Sequence, residues 1–142
     1  MNQSSSGAYT ESGAYTVVRE GAPAATLLEE AAVYAVPTRW RDEWGVRRYG
    51  FHGISVQWCA ELLGDRFRRL VVCHLGGGAS VSAVLNGRSV DTTMGFSPLE
   101  GVPMETRSGS VDPGALLYLL RQRLLTLEEL DHALHHDSGL RA

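Results

Sequence analysis

The sequence predicts an α/β fold, and three local patterns carry that prediction. A short apolar run, Leu70–Cys73, is typical of a central buried strand. Asn86-Gly87 predicts a two-residue hairpin turn, because both residues tolerate the positive φ angles that such a turn requires. Asp112-Pro113 predicts a helix start, with aspartate as the N-cap and proline at the first helical position. The predicted order is helix, strand, hairpin, helix, helix.

Two helical segments are predicted before the strand. Apolar side chains at helical spacing over residues 24–35 indicate a helix that Pro37 stops. Trp40 and Trp44 lie four residues apart, so they would share one face of a short helix that follows.

Two further helices have recognisable ends. Ser55–Leu63 is predicted as a helix, with Ser55 as its cap and Gly64 as its end. Thr126 and Glu129 have the spacing of a capping box, and the helix that they begin is expected to end near Gly139.

Length and composition bound the class of protein. A chain of 142 residues is long enough for one domain with a real core, but not for two ordinary domains. The net charge of -3 argues against nucleic acid as a partner, because no basic excess is available to release counterions. No apolar run approaches the ~18–20 residues that span a bilayer, and the N-terminus lacks the pattern of a secretory signal. A cytoplasmic location without membrane contact is expected.

Cysteines and histidines provide no predicted metal site. Cys59 and Cys73 lie in apolar runs without metal-type spacing, so buried reduced thiols are expected. His132, His135 and His136 have helical spacing, but a position at a helix C-terminus accounts for them, since partly charged imidazole is favourable there.

The N-terminal segment, residues 1–23, differs from the rest of the chain. It is rich in small polar residues, and Ser6–Thr10 recurs as Ser12–Thr16. Such low-complexity sequence buries little apolar surface, so this segment is predicted to be disordered or loosely attached.

A run of three glycines, Gly76–Gly78, follows the predicted strand. It is neither a Rossmann fingerprint nor a P-loop, because no helix opens directly after it and the Gly-Lys-Ser/Thr is missing. Two interpretations stay open. The glycines could form a tight bend between strands, or a backbone nest around nucleotide phosphates with the Ser80 hydroxyl nearby.

His52 and Arg107 are candidates for chemistry, although each has a simpler explanation in isolation. His52 lies among glycines, so it could face a cleft, or it could be structural. Arg107 lies in a short polar segment between apolar elements. It could be an exposed salt-bridge partner, or a guanidinium that clamps the equatorial oxygens of a phosphoryl group.

Taken together, these segments resemble the acetokinase family over about Ala25 to Leu140. The matching strings, in order, are Tyr34-Ala35-Val36-Pro37, Arg48-Tyr49-Gly50-Phe51-His52-Gly53, Cys73-His74-Leu75-Gly76, Ser89-Val90-Asp91-Thr92, Met94-Gly95-Phe96, Pro98-Leu99-Glu100-Gly101 and Thr106-Arg107-Ser108-Gly109. The resemblance implies part of an actin-like, ribonuclease-H-like fold of the acetate and sugar kinase superfamily. Residues 24–64 would end its first half, and residues 65–142 would begin its second half with a phosphate-loop hairpin.

The resemblance also implies a function. Members transfer a phosphoryl group between ATP and a short carboxylate such as acetate, with Mg²⁺, and give ADP and an acyl phosphate. His52 and Arg107 match the family's transition-state stabilisers. The loop that meets the ATP phosphates corresponds to His74, Leu75, Gly76, Gly77 and Gly78. A homodimer, as in full members, is one open assembly.

Departures from the family pattern bear on turnover. Glu20 stands at the position of the family's catalytic aspartate, but its flanking residues differ. Gly77 replaces the asparagine of the phosphate loop, and Ser110 replaces an aspartate. The family's metal ligands lie outside this chain, so we expect the isolated chain to have little or no activity. A non-catalytic phosphate- or nucleotide-binding module, a module that pairs with the missing portions, and a propionate kinase stay open as alternatives.

Overall fold

The computed structural model describes residues 5–9, 15–19, 28–63 and 65–142. The strands are β1 (Ser5–Tyr9), β2 (Tyr15–Arg19), β3 (Arg69–Leu75), β4 (Ala79–Leu85) and β5 (Arg88–Thr92). The helices are α1 (Thr38–Asp42), α2 (Gly53–Leu63), α3 (Pro113–Arg121) and α4 (Leu127–His136), with 3-10 turns at Glu29–Ala31 and Gly139–Arg141. The predicted α/β class is confirmed. The strands form one two-stranded sheet, β1-β2, and one three-stranded sheet, β3-β4-β5.

The first sheet lies where disorder was expected. β1 and β2 pair in antiparallel fashion, with Ser5 opposite Arg19 and Tyr9 opposite Tyr15. Residues 1–23 were predicted to be disordered or loosely attached; the structure describes these two paired segments, and the rest of that range lies outside the described residues. The second segment contains tyrosine, threonine and valine, which favour strands. Pairing also satisfies the backbone N–H and C=O groups, which a prediction from composition does not take into account.

The helix predicted over residues 24–35 is wrong in its described part. Only the 3-10 turn Glu29–Ala31 is present, and residues 24–27 lie outside the described ranges. The Ala32 carbonyl accepts a hydrogen bond of 2.8 Å from the Arg48 N–H instead of one from its own helix. A tertiary contact has therefore replaced helical bonding. The short helix is present as α1 but ends at Asp42, so it contains Trp40 and not Trp44, whose ring lies 6.1 Å from that of Trp40.

The three-stranded sheet confirms the hairpin but changes the position of the apolar strand. Asn86 and Gly87 have φ angles of 50° and 74°, as the predicted turn requires. β4 is central, whereas β3 is an edge strand in the described part of the chain, so the prediction of a central buried strand is wrong. Alternate β3 side chains are exposed, including Val71 at 70%. The apolar run supplies two faces, and α2 covers one of them.

Two small hydrophobic cores hold the described elements together. One joins α2 to the sheet through Val56, Ala60 and Val84, with Leu70 and Val72 packed against it. The other contains Ala79, Met94 and Met104, with Phe51 and Val102 at its side. Cys73 is exposed on β3 and Cys59 is half-buried, so the expected burial of the Cys73 thiol is wrong. The side chain of Cys73 points to the face opposite that of Leu70 and Val72 because strand side chains alternate.

The C-terminal helices follow their predicted caps. The Asp112 side chain accepts a hydrogen bond of 2.7 Å from the Gly114 N–H, and Thr126 and Glu129 form the expected reciprocal box. α4 ends at His136, before the predicted end at Gly139, which has a φ of 74° and begins the last 3-10 turn. Within the described residues, no helix has the length and apolar character needed to cross a bilayer.

Candidate functional site

His52 is held in an uncommon backbone conformation at the start of α2. Its φ angle is 63°, in the left-handed region that non-glycine residues seldom occupy. The chain before it is fastened to the loop after β5, because the Tyr49 and Gly50 N–H groups both donate to the Gly95 carbonyl, at 3.0 and 3.2 Å. This anchoring fixes the backbone immediately before His52. Strained residues of this kind are concentrated at functional sites.

Arg48 strengthens the same anchor. Its guanidinium donates to the Ala31 carbonyl at 3.2 Å, to the Asp91 carboxylate at 3.1 Å and to the Thr92 carbonyl. These partners, two backbone carbonyls and one carboxylate, are distant from Arg48 in sequence and are brought together only by the fold.

The imidazoles of His52 and His74 stack face to face. Their ring centroids are 3.7 Å apart and their planes differ by 11°. Each ring is held from behind by a serine hydroxyl, since His52 Nδ1 lies 2.9 Å from Ser80 Oγ and His74 Nδ1 lies 3.0 Å from Ser55 Oγ. Ser55 was predicted as a helix cap, but α2 begins at Gly53 and the hydroxyl contacts His74 instead. The two histidines therefore connect the end of β3, where His74 lies, to the start of α2, which follows His52.

The glycine run lies against the opposite edges of these rings. A β-carbon built on Gly76 would lie 3.7 Å from His74 Nε2. A β-carbon built on Gly78 would lie 3.5 Å from His52 Nε2 and 3.3 Å from Arg107 Nη1. An imidazole and a guanidinium therefore approach one point beside the glycine run. Residues 52, 78 and 107, which are far apart in sequence, share one site.

Arg107 reaches this point from a segment tied to the C-terminal helix. The Thr106 hydroxyl donates to the His135 carbonyl at 2.9 Å, and the Ser108 N–H donates to the Leu134 carbonyl at 3.0 Å. Gly139 packs against the Arg107 backbone from the other side, so closely that a β-carbon there would lie 2.7 Å from the Arg107 carbonyl oxygen. α4 and the last turn thus fix the backbone from which the guanidinium extends.

The site is cationic and lacks a counterion within the protein as described. Burial lowers the pKa of His52, and the neighbouring His74 and Arg107 lower it further. Over the described ranges, no carboxylate lies within ion-pair distance of Arg107. The interpretation of Arg107 as a salt-bridge partner is therefore not supported. An arginine and two imidazoles around one gap are suited to an anion with several oxygens.

The remaining predicted site residues contribute differently. Leu75 is 77% exposed and adjacent to His74 on the strand, so its side chain points to the other face of the sheet. The Gly76 N–H donates to the Gly78 carbonyl at 2.9 Å, so this amide is not free to bind a phosphate. A backbone nest around phosphates would have to use the other amides of the loop. Glu20 lies outside the described residues. The described histidines, cysteines and carboxylates form no group of three or more that could hold a metal ion.

A second polar contact, partly buried, fixes the loop after β5. The Tyr34 hydroxyl donates to the Glu100 carboxylate and accepts a hydrogen bond of 2.9 Å from the Phe96 N–H. Burial raises the pKa of Tyr34, and the Glu100 hydrogen bond raises it further. Gly95 lies so close that a β-carbon there would overlap both side chains. No sequence pattern predicted this pair, which holds the loop that anchors His52.

Fold and geometry together define an α/β protein in which two imidazoles and a guanidinium meet beside a glycine run, an arrangement suited to an anion. The sequence profile described as the Acetokinase family matches residues 11–142, and the chain belongs to that family. The match begins earlier than the resemblance from about residue 25 indicated, and it includes β2.

Relatives in sequence and in structure are acetate and propionate kinases. The acetate kinase of Protochlamydia amoebophila is 50% identical over 122 residues, covering 82% of this chain and 31% of that protein. The acetate kinase of Acaryochloris marina is 55% identical over 119 residues, covering 81% and 29%. The crystal structure of Porphyromonas gingivalis acetate kinase has a TM-score of 0.72 at 38% identity, covering 80% and 30%. A propionate kinase from Francisella tularensis has a TM-score of 0.73 at 36% identity, covering 81% and 31%. The chain therefore spans about 30% of the length of these relatives.

Proposed function

We propose that this chain supplies phosphoryl-binding residues to an acetate kinase-type reaction, in which ATP and acetate give ADP and acetyl phosphate. The approach of His52 Nε2 and Arg107 Nη1 to one point beside Gly78 carries the proposal. Family membership supports the choice of reaction. ATP as the donor favours a cytoplasmic location.

The residues suit this chemistry because the reaction chiefly needs charge neutralisation and positioning. A carboxylate oxygen is already nucleophilic, so no strong base is required. The transferring phosphoryl carries negative charge on its equatorial oxygens, and it must meet a second anion. Arg107 would donate to those oxygens from one side and His52 Nε2 from the other, so both donors are positioned before the phosphoryl group arrives.

Cofactor binding is divided between this chain and other parts of the protein. His74 and the glycine run Gly76–Gly78 are proposed to meet the ATP phosphates, because the Nε2 atoms of the imidazole pair lie beside the run. Family membership implies Mg²⁺, whose charge would help to neutralise the phosphates. The described side chains do not fit a magnesium site, so its ligands would come from outside them.

Two measurements test this function. Inorganic phosphate and ATP, titrated into the purified chain, should bind, and substitution of His52 or Arg107 by alanine should weaken both. A hydroxamate assay for acetyl phosphate should show little or no turnover by the isolated chain. Absence of phosphate binding would overturn the proposed site, and turnover within tenfold of an ordinary kinase's ~10 s⁻¹ would overturn the expectation of inactivity.

A pairing module is a second candidate function, and one surface favours it. Ile54, Trp58 and Leu62 are spaced four residues apart on α2, so they form one helical face, and each is at least 60% exposed. Exposed apolar faces of this kind mark interaction sites. The partner would be a polypeptide that supplies the remaining part of the acetokinase fold, or a second copy. The mass of the purified chain from light scattering would show whether it pairs with a second copy. Titration with propionate in place of acetate would test the separate alternative of a propionate kinase.

A further inference from the structure

We propose that Ser80 is a positioning residue that keeps the Nε2 atom of His52 a hydrogen-bond donor toward a bound anion in both charge states of the ring. This inference rests on the proposed function, since the anion is the phosphoryl group of that reaction. Nothing in the sequence pattern assigns this role to the serine.

The geometry separates the two nitrogens of His52. Nδ1 lies 2.9 Å from the hydroxyl of Ser80, a side chain with no exposed surface. Nε2 faces the gap beside Gly78, where Arg107 also arrives. One nitrogen is therefore occupied inside the protein, and the other is directed at the anion position.

A hydroxyl group is suited to this task because it both donates and accepts. When the imidazole is neutral, the Ser80 O–H donates to Nδ1, and the single ring proton then lies on Nε2. When the ring is protonated, the same oxygen accepts from Nδ1–H, and Nε2–H still faces the anion. A backbone carbonyl in that place would hold the neutral ring's proton on Nδ1 and turn a lone pair toward the anion. A carboxylate would favour the charged ring alone.

The groups around His52 explain why the position of its ring proton matters. Burial lowers the pKa of His52, and two neighbours lower it further: His74, stacked on one face of the ring, and Arg107, beside its Nε2 edge. The ring therefore meets the anion in its neutral form over much of the physiological range. A neutral imidazole attracts an anion only through an N–H group, which makes the position of that one proton decisive.

The strand offers a matched control for the test. Ser82 is two residues along β4, on the same face, and is 1% exposed. Its hydroxyl lies 2.9 Å from the Thr92 hydroxyl and contacts no histidine. Ser80→Ala and Ser82→Ala each remove one buried hydroxyl from the same strand, but only the first change removes the partner of His52.

Long-range ¹H–¹⁵N spectra of the uniformly labelled chain report the tautomer and pKa of His52 without any ligand. In the wild-type chain the neutral ring should be the Nε2–H form. Ser80→Ala should introduce the Nδ1–H form and lower the pKa of His52, because the charged ring loses its acceptor, whereas Ser82→Ala should change neither. Phosphate affinity should fall about fivefold in Ser80→Ala, the effect of one net hydrogen bond.

Two results would overturn the inference. One is a neutral His52 with its proton on Nδ1 in the wild-type chain, a measurement that needs no variant to fold. The other is an equal response of tautomer and pKa to both serine substitutions, which would indicate a merely structural role. A serine-dependent tautomer in a chain that binds no phosphate would instead refute the proposed function and leave the positioning role intact.

Discussion

His52 and His74 stack with 3.7 Å between ring centroids and 11° between ring planes, and their Nε2 atoms face the same glycine run. Burial is the main reason why the pKa of His52 lies below its ordinary value of 6.5, and the charges of His74 and Arg107 lower that pKa further. An anion at the Nε2 edge would offset those charges, so binding and protonation are linked.

The first prediction is that dianion binding takes up a proton. Sulfate is a suitable probe because it stays fully ionised over about pH 5 to 8, where histidine titrates. The lowered pKa of His52 means that its ring is mostly neutral near pH 7 when no anion is bound, so affinity should rise as pH falls, by at most about tenfold per unit. Calorimetry in two buffers of different ionisation enthalpy measures the uptake. His74→Ala should move the pKa of His52 upward, and a pH-independent affinity would contradict the linkage.

The second prediction separates two neighbouring glycines. Gly78→Ala would place a methyl group 3.3 Å from Arg107 Nη1 and 3.5 Å from His52 Nε2, so it would occupy the anion position. Gly77→Ala meets no atom within 4 Å. We expect phosphate affinity to fall at least about tenfold in the first variant, since it loses charge-assisted hydrogen bonds, and to change little in the second. Equal affinities in the two variants would place the anion elsewhere.

The third prediction concerns the guanidinium of Arg107. Arg107→Ala should weaken phosphate binding by about tenfold or more, and Arg107→Lys should recover only part of it, because an ammonium lacks the planar, bidentate fork. Arg121, exposed in the last turn of α3, gives a control of equal charge. Isothermal titration at fixed ionic strength makes the comparison. A similar loss in Arg121→Ala would indicate general charge attraction rather than a site.

The fourth prediction tests the support behind Arg107. Gly139 and Gly87 both have a φ angle of 74°, but only Gly139 approaches other atoms, including the Met104 carbonyl and the Arg107 backbone. Gly87→Ala should cost about 1–2 kcal/mol in free energy of unfolding, the strain of the left-handed region. Gly139→Ala should cost about 1–3 kcal/mol more through overpacking.

Urea unfolding of both variants measures that difference. Gly139→Ala should also weaken phosphate binding, because the Arg107 backbone must shift, while Gly87→Ala should leave binding unchanged. Equal unfolding free energies for the two alanine variants would show that the last turn does not brace the arginine.

Local patterns predicted the parts of the fold that neighbouring residues decide. The Asn86-Gly87 turn, the Asp112 cap and the Thr126 capping box need only residues within one turn, and all three are present. The helix over residues 24–35 and the buried strand depended on what packs against them. Both predictions were wrong in the described residues, because periodicity identifies an apolar face without identifying its cover.

The site shows the same division. Resemblance pointed to His52, His74 and Arg107, and the fold brings them together. It gave no sign that Ser55 holds His74 instead of capping α2, or that Arg48 binds carbonyls instead of solvent. Those partners are distant in sequence, and a hydroxyl or guanidinium accepts many partners.

The sequence by itself determined the family, the caps and turns, and the residue types that suit an anion, since each depends on chemical identity or on immediate neighbours. Only the tertiary structure decided that an imidazole pair, a glycine run and an arginine face one gap, and which hydroxyl sets each ring nitrogen. Directional hydrogen bonds extend about 3 Å, so their partners are chosen by the packing of distant segments, which no local pattern encodes.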